Sequence, residues 1–470
     1  MSQGSAENVE ATRLDGYLVF LFFLLSTATL FDGFDNAMFG FAAPDVRSTL
    51  GISREQWGFV SGATRAGVML SFVFLLTADR LGRRTLLMVT VVGFTVFNTM
   101  TAFVTSTSEF VVCQMLARLF LTAEYSLAII VVGEEYPARL RGRAIAILTS
   151  LATVGVMAMA KIQPYVLLSE GEESNWLHAL GVGMVAAIQG FFGLDPDDSS
   201  WRALYVLSAF PLLLVLFLRI GMRETRRFTA SSEDRDSGLQ EGERQSGLAE
   251  QWKSVGMPWS ARYRRRTWIV TLLWNCVHLV TAPSTVYWVI YAREDLGLST
   301  TEVGDIVFWG YGGGVLGHFV AGYLIDRVGR KWTCSGFYVA AAVSIYLLYH
   351  VPTLSGQYIW MFFTVFSFGA AITATHVYAS ELFPTEIRAT GYGWTTNLAG
   401  RVTEVVTPMA IGLMIVPLGG IPAAIAVVAV GPVLGALLVM RYAPETKGLT
   451  LEEVQIHLAR EMEPTAESLD

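Results

Sequence analysis

Two acids, Asp32 and Asp35, stand three residues apart in FDGFDNAMFG (31–40), inside an apolar run from about Tyr17 to Ala43. A carboxylate at bilayer depth is disfavoured by about 2.5–3.5 kcal/mol on insertion scales, so such a group has a partner or a task. Carrying a proton is one such task. Cations lie in other apolar stretches: Arg118 in QMLARLFLTAEYSLAIIV, Lys161 in VMAMAKIQPYV and Arg401 in NLAGRVTEVVTP. A buried cation can neutralise an acid or hold an anionic solute. Glu124 follows Arg118 by six positions, about 600° around a helix, and so lies on another face. Arg401 and Glu404 are i and i+3 and can pair. Lys161 lies near a helix end, where it either binds an anion or snorkels to the interface.

The elements that must carry these groups follow from composition. Of 470 residues, 53% are hydrophobic and 16% charged, against about 25% charged in soluble domains. Twelve runs approach the roughly 20 apolar residues a spanning helix needs. They lie near 17–43, 55–78, 85–104, 108–133, 143–168, 201–222, 266–291, 303–325, 332–350, 356–380, 389–415 and 421–441. The piece 181–193 is too short to span comfortably and reads as a surface or re-entrant helix. The expected fold is an all-α membrane protein. The head, MSQGSAENVEATRLDG, is acidic and the first run is too long for a signal core, so no cleavable signal is expected.

Arg and Lys gather in alternate loops: DRLGRR (79–84), PARLRGRA (137–144), the 223–266 loop ending in RYRRR, and DRVGRK (326–331). The intervening 169–200 loop has no Lys or Arg and six acids, a feature with no assigned role. The positive-inside rule makes the basic loops and both termini cytoplasmic, in a multi-pass protein of the plasma (inner) membrane. RYRRR abuts an apolar helix and reads as a topology anchor, not a nucleic-acid contact. Cys113, Cys276 and Cys334 offer neither a disulfide framework nor metal spacing. No metal or cofactor is expected, no phosphate-binding loop is present, and the chain does not read as an enzyme. The energy source is then a gradient. The expected partners are a small solute, protons and the bilayer, with a monomer as the working unit.

The chain also repeats. DRLGRR from Asp79 returns as DRVGRK from Asp326, and EEYPARLRG returns as ELFPTEIRATG 246 to 247 residues later. Two six-helix halves, 17–222 and 266–441, are implied, with a 223–265 linker and tails at 1–16 and 442–470. Paired halves with a midplane site are the architecture of many secondary transporters. The 246-residue offset takes Asp32 to His278 in WNCVHLVTAPSTVYW. A histidine titrates near neutrality, although a membrane histidine is often only a satisfied structural group. Tyr287, Trp288, His376, Trp394 and Asn397 are candidates to line a polar-aromatic pocket.

These motifs resemble the major facilitator superfamily over nearly the whole chain. GYLIDRVGRK (322–331) carries that superfamily's complete loop signature, and LLTADRLGRR (75–84) carries it with Leu75 in place of the first Gly. The resemblance implies twelve transmembrane helices in two pseudo-symmetric bundles that work by alternating access. It also implies a cytoplasmic gate of ion pairs among Asp79, Arg83, Glu135 and Arg141 in one half and Asp326, Arg330, Glu381 and Arg388 in the other. Asp-Gly-Phe-Asp and TAEYSLAIIVVGEEYPARLRG are similar to the aromatic-acid and metabolite:proton symporters. The tail PETKGLTLEE (444–453) resembles sugar porters. By this resemblance Arg118 faces the cavity and pairs with the first-helix acid, Arg401 matches an eleventh-helix Arg of the acid symporters, and Glu124 matches the family Glu, with Thr122 where a Gly is usual. The implied function is proton-coupled symport of a small organic anion, a carboxylate or aromatic acid. Asp35 is then the proton carrier, Asp32 and Glu124 are further coupling candidates, and Arg118, Arg401, Lys161 and His278 are candidate ligands. A sugar or polyol:proton symporter and a proton-antiporting exporter are the alternatives. The sequence names neither the substrate nor the stoichiometry.

Overall fold

In lipid every backbone polar group must be satisfied within its own segment or by a closed barrel, so apolar runs of this length fold as helices. The computed structural model describes residues 16–75, 82–136, 138–168, 174–191, 200–219, 221–222, 256–281, 283–384, 387–449, 453–454 and 456, and contains no strand among them. Among the described residues seven helices precede the long linker: α1 (Gly16–Leu50), α2 (Arg54–Leu75), α3 (Arg83–Thr101), α4 (Thr107–Glu135), α5 (Ala138–Ile162), α6 (Trp176–Phe191) and α7 (Ser200–Arg219). After it come α8 (Arg264–His278), α9 (Trp288–Ile290), α10 (Thr300–Val328), α11 (Arg330–His350), α12 (Leu354–Glu381), α13 (Arg388–Gly393), α14 (Val402–Leu418), α15 (Ile421–Val428) and α16 (Val430–Tyr442).

Eight stretches among the described residues are long and apolar enough to cross a bilayer. The other four predicted spans fall on α2, α5, α8 with α9, and α10. The first helix outruns its predicted end at 43 and continues to Leu50, where Gly51 turns the chain at φ 63°. The segment near 181–193 is α6, a 16-residue helix. At about 1.5 Å per residue it falls short of the roughly 30 Å hydrocarbon core. It packs on α7, where Gly181 meets Ala203 and Leu207.

The chain divides into two compact units, one of Met1–Ile52, Ala63–Leu239 and Ser299–Gly304, the other of Ser53–Gly62, Gln240–Leu298 and Asp305–Asp470. In the first, α1 lies close on α5 because glycines remove the side chains between them. A Cβ at Gly33 would stand 1.7 Å from the Ala152 carbonyl oxygen, and one at Gly155 1.9 Å from that of Leu30. Such small-residue contacts are how membrane helices approach without a hydrophobic driving force. In the second unit Trp274, Val277, Tyr338 and Tyr378 share one buried core.

The unit boundaries expose a third repeat. Gly51-Ile-Ser-Arg-Glu-Gln-Trp-Gly58 and Gly297-Leu-Ser-Thr-Thr-Glu-Val-Gly304 lie 246 residues apart. Both begin with a positive-φ glycine, 63° and 67°. Both cap their helix reciprocally. Gln56 N–H donates to Ser53 Oγ at 3.2 Å while Ser53 N–H donates to Gln56 Oε1 at 3.0 Å. Glu302 and Ser299 do the same at 3.2 and 2.9 Å, a capping box in each copy.

Candidate functional site

In the first unit the site is built around Asp35. The carboxylate is 2% exposed, and neither oxygen has a hydrogen-bond partner among the described residues. Arg118 of α4 stands within electrostatic reach of it. Its Nη1 donates to Asn36 Oδ1 at 3.3 Å, and its guanidinium lies 4.9 Å from the Phe39 ring centroid. Tyr205 of α7 is buried in the same neighbourhood, its hydroxyl also without a hydrogen-bond partner among the described residues. Phe39 stacks on Phe110, and Phe110 meets Trp201 edge to face. Asp35 is thus a buried carboxylate with Arg118 nearby and no direct hydrogen bond among the described residues. Asn36 and Tyr205 escaped the sequence reading because each is an ordinary residue until its helix is placed.

Other acids and cations of this unit have different surroundings. Asp32 is half-buried. Glu124 is paired away from Asp35: Arg219 Nη2 lies 2.5 Å from Glu124 Oε1, and the Thr90 hydroxyl donates to Oε2. Arg219 Nη1 also donates to the Leu87 carbonyl at 3.0 Å. Arg202 is likewise engaged, donating to the carbonyls of Ala102 and Val104, both at 2.8 Å. Lys161 is exposed in the last turn of α5.

In the second unit the site gathers where the eleventh span loses its regular helix. After α13 the chain makes a π turn, Trp394–Leu398, and a 3₁₀ turn, Ala399–Arg401, before α14. Gly400 permits the close approach there, since a Cβ would lie 1.9 Å from the Thr395 carbonyl oxygen and 2.7 Å from Trp274 Cβ. Such a break orphans backbone groups, and Asn275 of α8 takes them up. Its amide donates to Ala399 O at 2.9 Å, and its carbonyl accepts from Thr403 N–H at 2.9 Å. Arg401 is thereby presented at the break. Its Nη1 contacts Glu404 Oε2 at 2.8 Å, the i, i+3 pair expected from sequence, and its Nε donates to Thr396 O at 3.3 Å. Glu404 also faces His278 Nδ1 at 3.8 Å.

Around this pair stand aromatic rings. His278 stacks on Trp274 at 5.4 Å, and Trp274 meets His376 edge to face at 4.6 Å. Tyr392 Oη lies 2.6 Å from His376 Nδ1. His318 of α10, unmarked in the sequence reading, bonds Thr373 Oγ1 at 2.8 Å and lies in the electrostatic neighbourhood of His376. Of the other pocket candidates, Asn397 is half-buried in the π turn. Tyr287 and Trp288 are fully buried, with polar atoms committed to Pro408 O and Gln357 Oε1 at 2.9 and 2.8 Å. Trp394 meets Trp259 edge to face at 5.8 Å.

At the end of the second unit that carries DRVGRK, Arg330 contacts Glu381 at 2.9 Å and Asp326 at 3.6 Å. Glu445 of the PETKG tail accepts from the N–H groups of Arg330 and Lys331 at 2.9 and 3.0 Å. It places a carboxylate on the first turn of α11, where the helix dipole favours one. In the first unit Arg83 is half-buried and Glu135 buried, while Asp79, the side chain of Arg141 and, in the second unit, the side chain of Arg388 lie outside the described residues.

Residues 22–458 match the family described as sugar (and other) transporter. The chain belongs to that family. Its fold is that of the major facilitator superfamily, and it is a multi-pass membrane transporter. Among its relatives, the niacin transporter NiaP of Acinetobacter baylyi is 23% identical, over 92% of this chain and 95% of that one. The gallate transporter of Pseudomonas putida is 27% identical, over 78% of each. The crystal structure of a D-xylose-proton symporter superposes with a TM-score of 0.71 at 17% identity, covering 92% of this chain and 100% of the other.

Proposed function

We propose that the protein is a proton-coupled symporter of small organic acids, aromatic carboxylates above all, working by alternating access in the plasma membrane. The observation that carries this reading is Asp35: a buried carboxylate without a hydrogen bond among the described residues, beside Arg118, in a largely apolar helix. In the cycle we infer, Asp35 takes a proton when Arg118's attraction is diverted to the incoming anion, and releases it when that anion leaves. In the second unit Arg401 is a further candidate ligand for an anion, with Glu404 and His278 setting its position. Both termini face the cytoplasm, and the Arg330–Glu381–Glu445 cluster belongs to the cytoplasmic gate. Relatives that carry niacin and gallate, both planar aromatic acids, support the substrate class. The chain acts as a monomer.

The test is uptake into proteoliposomes under an imposed pH gradient. Accumulation of benzoate that follows the gradient and collapses with a protonophore is the expected result. Uptake indifferent to the gradient rejects symport. Docking of the PETKG tail favours a sugar porter as the second reading. Accumulation of hexoses in place of organic acids in the same assay would establish it.

A further inference from the structure

His376 combines features that a purely structural histidine lacks. It is exposed, although Ala374 and Thr375 before it are buried, and it sits far along α12 among rings and charges of three other segments. Its Nδ1 is tied to Tyr392 Oη at 2.6 Å, and the two rings are nearly parallel, 19° apart at 5.9 Å. Trp274 meets the imidazole edge to face at 4.6 Å and 75°. The imidazole plane is therefore fixed by a hydrogen bond and an edge contact while part of the ring stays open. Arg401, His318 and His278 lie in its electrostatic neighbourhood, and Glu404 stands against Arg401 at 2.8 Å and His278 at 3.8 Å. A guanidinium beside a pre-oriented aromatic ring suits a flat molecule with an anionic end, because stacked aromatic rings gain affinity beyond simple burial.

We propose that the His376–Tyr392 pair is the specificity-determining element of the second unit: His376 stacks the planar ring of an aromatic carboxylate whose carboxylate is held by Arg401, and Tyr392 holds the imidazole in the stacking orientation. The proposal rests on the transport reading for its choice of organic acids. His376 thus separates aromatic from saturated rings, and Arg401 separates acids from neutral solutes. Tyr392 is a positioning residue that acts through His376.

The test is equilibrium binding of benzoate and cyclohexanecarboxylate, equal in charge and ring size, to the full-length protein in lipid nanodiscs by calorimetry. The wild type binds benzoate at least tenfold more tightly. His376→Ala reduces that ratio to threefold or less, and Tyr392→Phe gives an intermediate ratio. His376→Phe, which keeps a flat ring and gives up the hydrogen bond, restores most of it. Arg401→Ala weakens both acids alike. A wild-type ratio near one, or an unchanged ratio in His376→Ala, overturns the proposal. Gradient-driven uptake by the same preparation separates the two readings. Uptake with a flat ratio removes the stacking role and leaves symport standing. A preserved pattern of ratios without gradient-driven uptake removes symport and leaves the site.

Discussion

At the scale of single residues, neighbouring acids differ because their surroundings differ. Asp35 has no hydrogen bond among the described residues, whereas its neighbour Asn36 receives one from Arg118. A carboxylate so placed gains little from staying charged except its attraction to Arg118, and that suits a group that loads and unloads a proton. Asp35→Asn is expected to lower gradient-driven accumulation more than tenfold while solute exchange between equilibrated compartments persists. Equal loss of both activities would mean a binding or folding role instead. Glu124 is the contrasting case, since Arg219 and Thr90 occupy both of its oxygens. Removing one member of a buried ion pair strands the other, at a cost of about 3–5 kcal/mol. Arg219→Leu should therefore depress the melting temperature strongly in detergent. The double variant Glu124→Leu/Arg219→Leu should recover most of it. A single variant as stable as the wild type would show that the pair carries no structural weight.

At the scale of elements, the breaks matter as much as the helices. The π and 3₁₀ turns from Trp394 to Arg401 are held by Asn275, which donates to the Ala399 carbonyl and accepts from the Thr403 N–H. Asn275→Ala leaves a half-buried N–H and carbonyl without their side-chain partner, at no more than about 1–3 kcal/mol, and is expected to weaken binding of the solute acid by loosening Arg401. An unchanged dissociation constant would contradict that. The start of α2 is held in two ways within the second unit. Arg54 reaches Glu294 at 2.8 Å and Asp295 at 2.7 Å. Burial alone would lower the Arg54 pKa, but the hydrogen bonds to Asp295 and Glu294 outweigh it and hold the charge firmly in place. Gly58 brings the backbone so near α14 that a Cβ would stand 2.4 Å from the Pro408 carbonyl oxygen. The ion pairs are about a third exposed and are worth at most about 1 kcal/mol, whereas the glycine contact tolerates no side chain without moving a helix. Arg54→Ala is therefore expected to give a monodisperse, folded protein and Gly58→Leu an aggregated one, as read by size-exclusion chromatography. The reverse order would place the weight on the charges.

At the scale of the whole molecule, charge balance sets the energetics. One proton carried with one monoanion moves no net charge, so an imposed membrane potential should alter uptake little at a fixed pH gradient. A neutral solute carried with one proton would gain about 2.3 kcal/mol per 100 mV. Proteoliposomes with and without a valinomycin-set potential discriminate the two cases. A strong voltage response would exclude electroneutral carboxylate symport.

The sequence by itself determined what depends on local chemistry and on the bilayer. Apolar length marked the spans, and three-residue spacing predicted the Arg401–Glu404 pair. The third repeat, at Gly51 and Gly297, was present in the same string and needed only the offset. Tertiary structure alone decided which distant residues meet. It brought Glu124 to Arg219 and Thr90, Tyr205 towards Asp35, Asn275 to the break before α14, and Glu445 to Arg330, 115 residues away. The physical reason is that helix periodicity fixes the face on which a side chain lies. What that face touches depends on close packing of whole helices, set by many side-chain volumes and a few glycines at once.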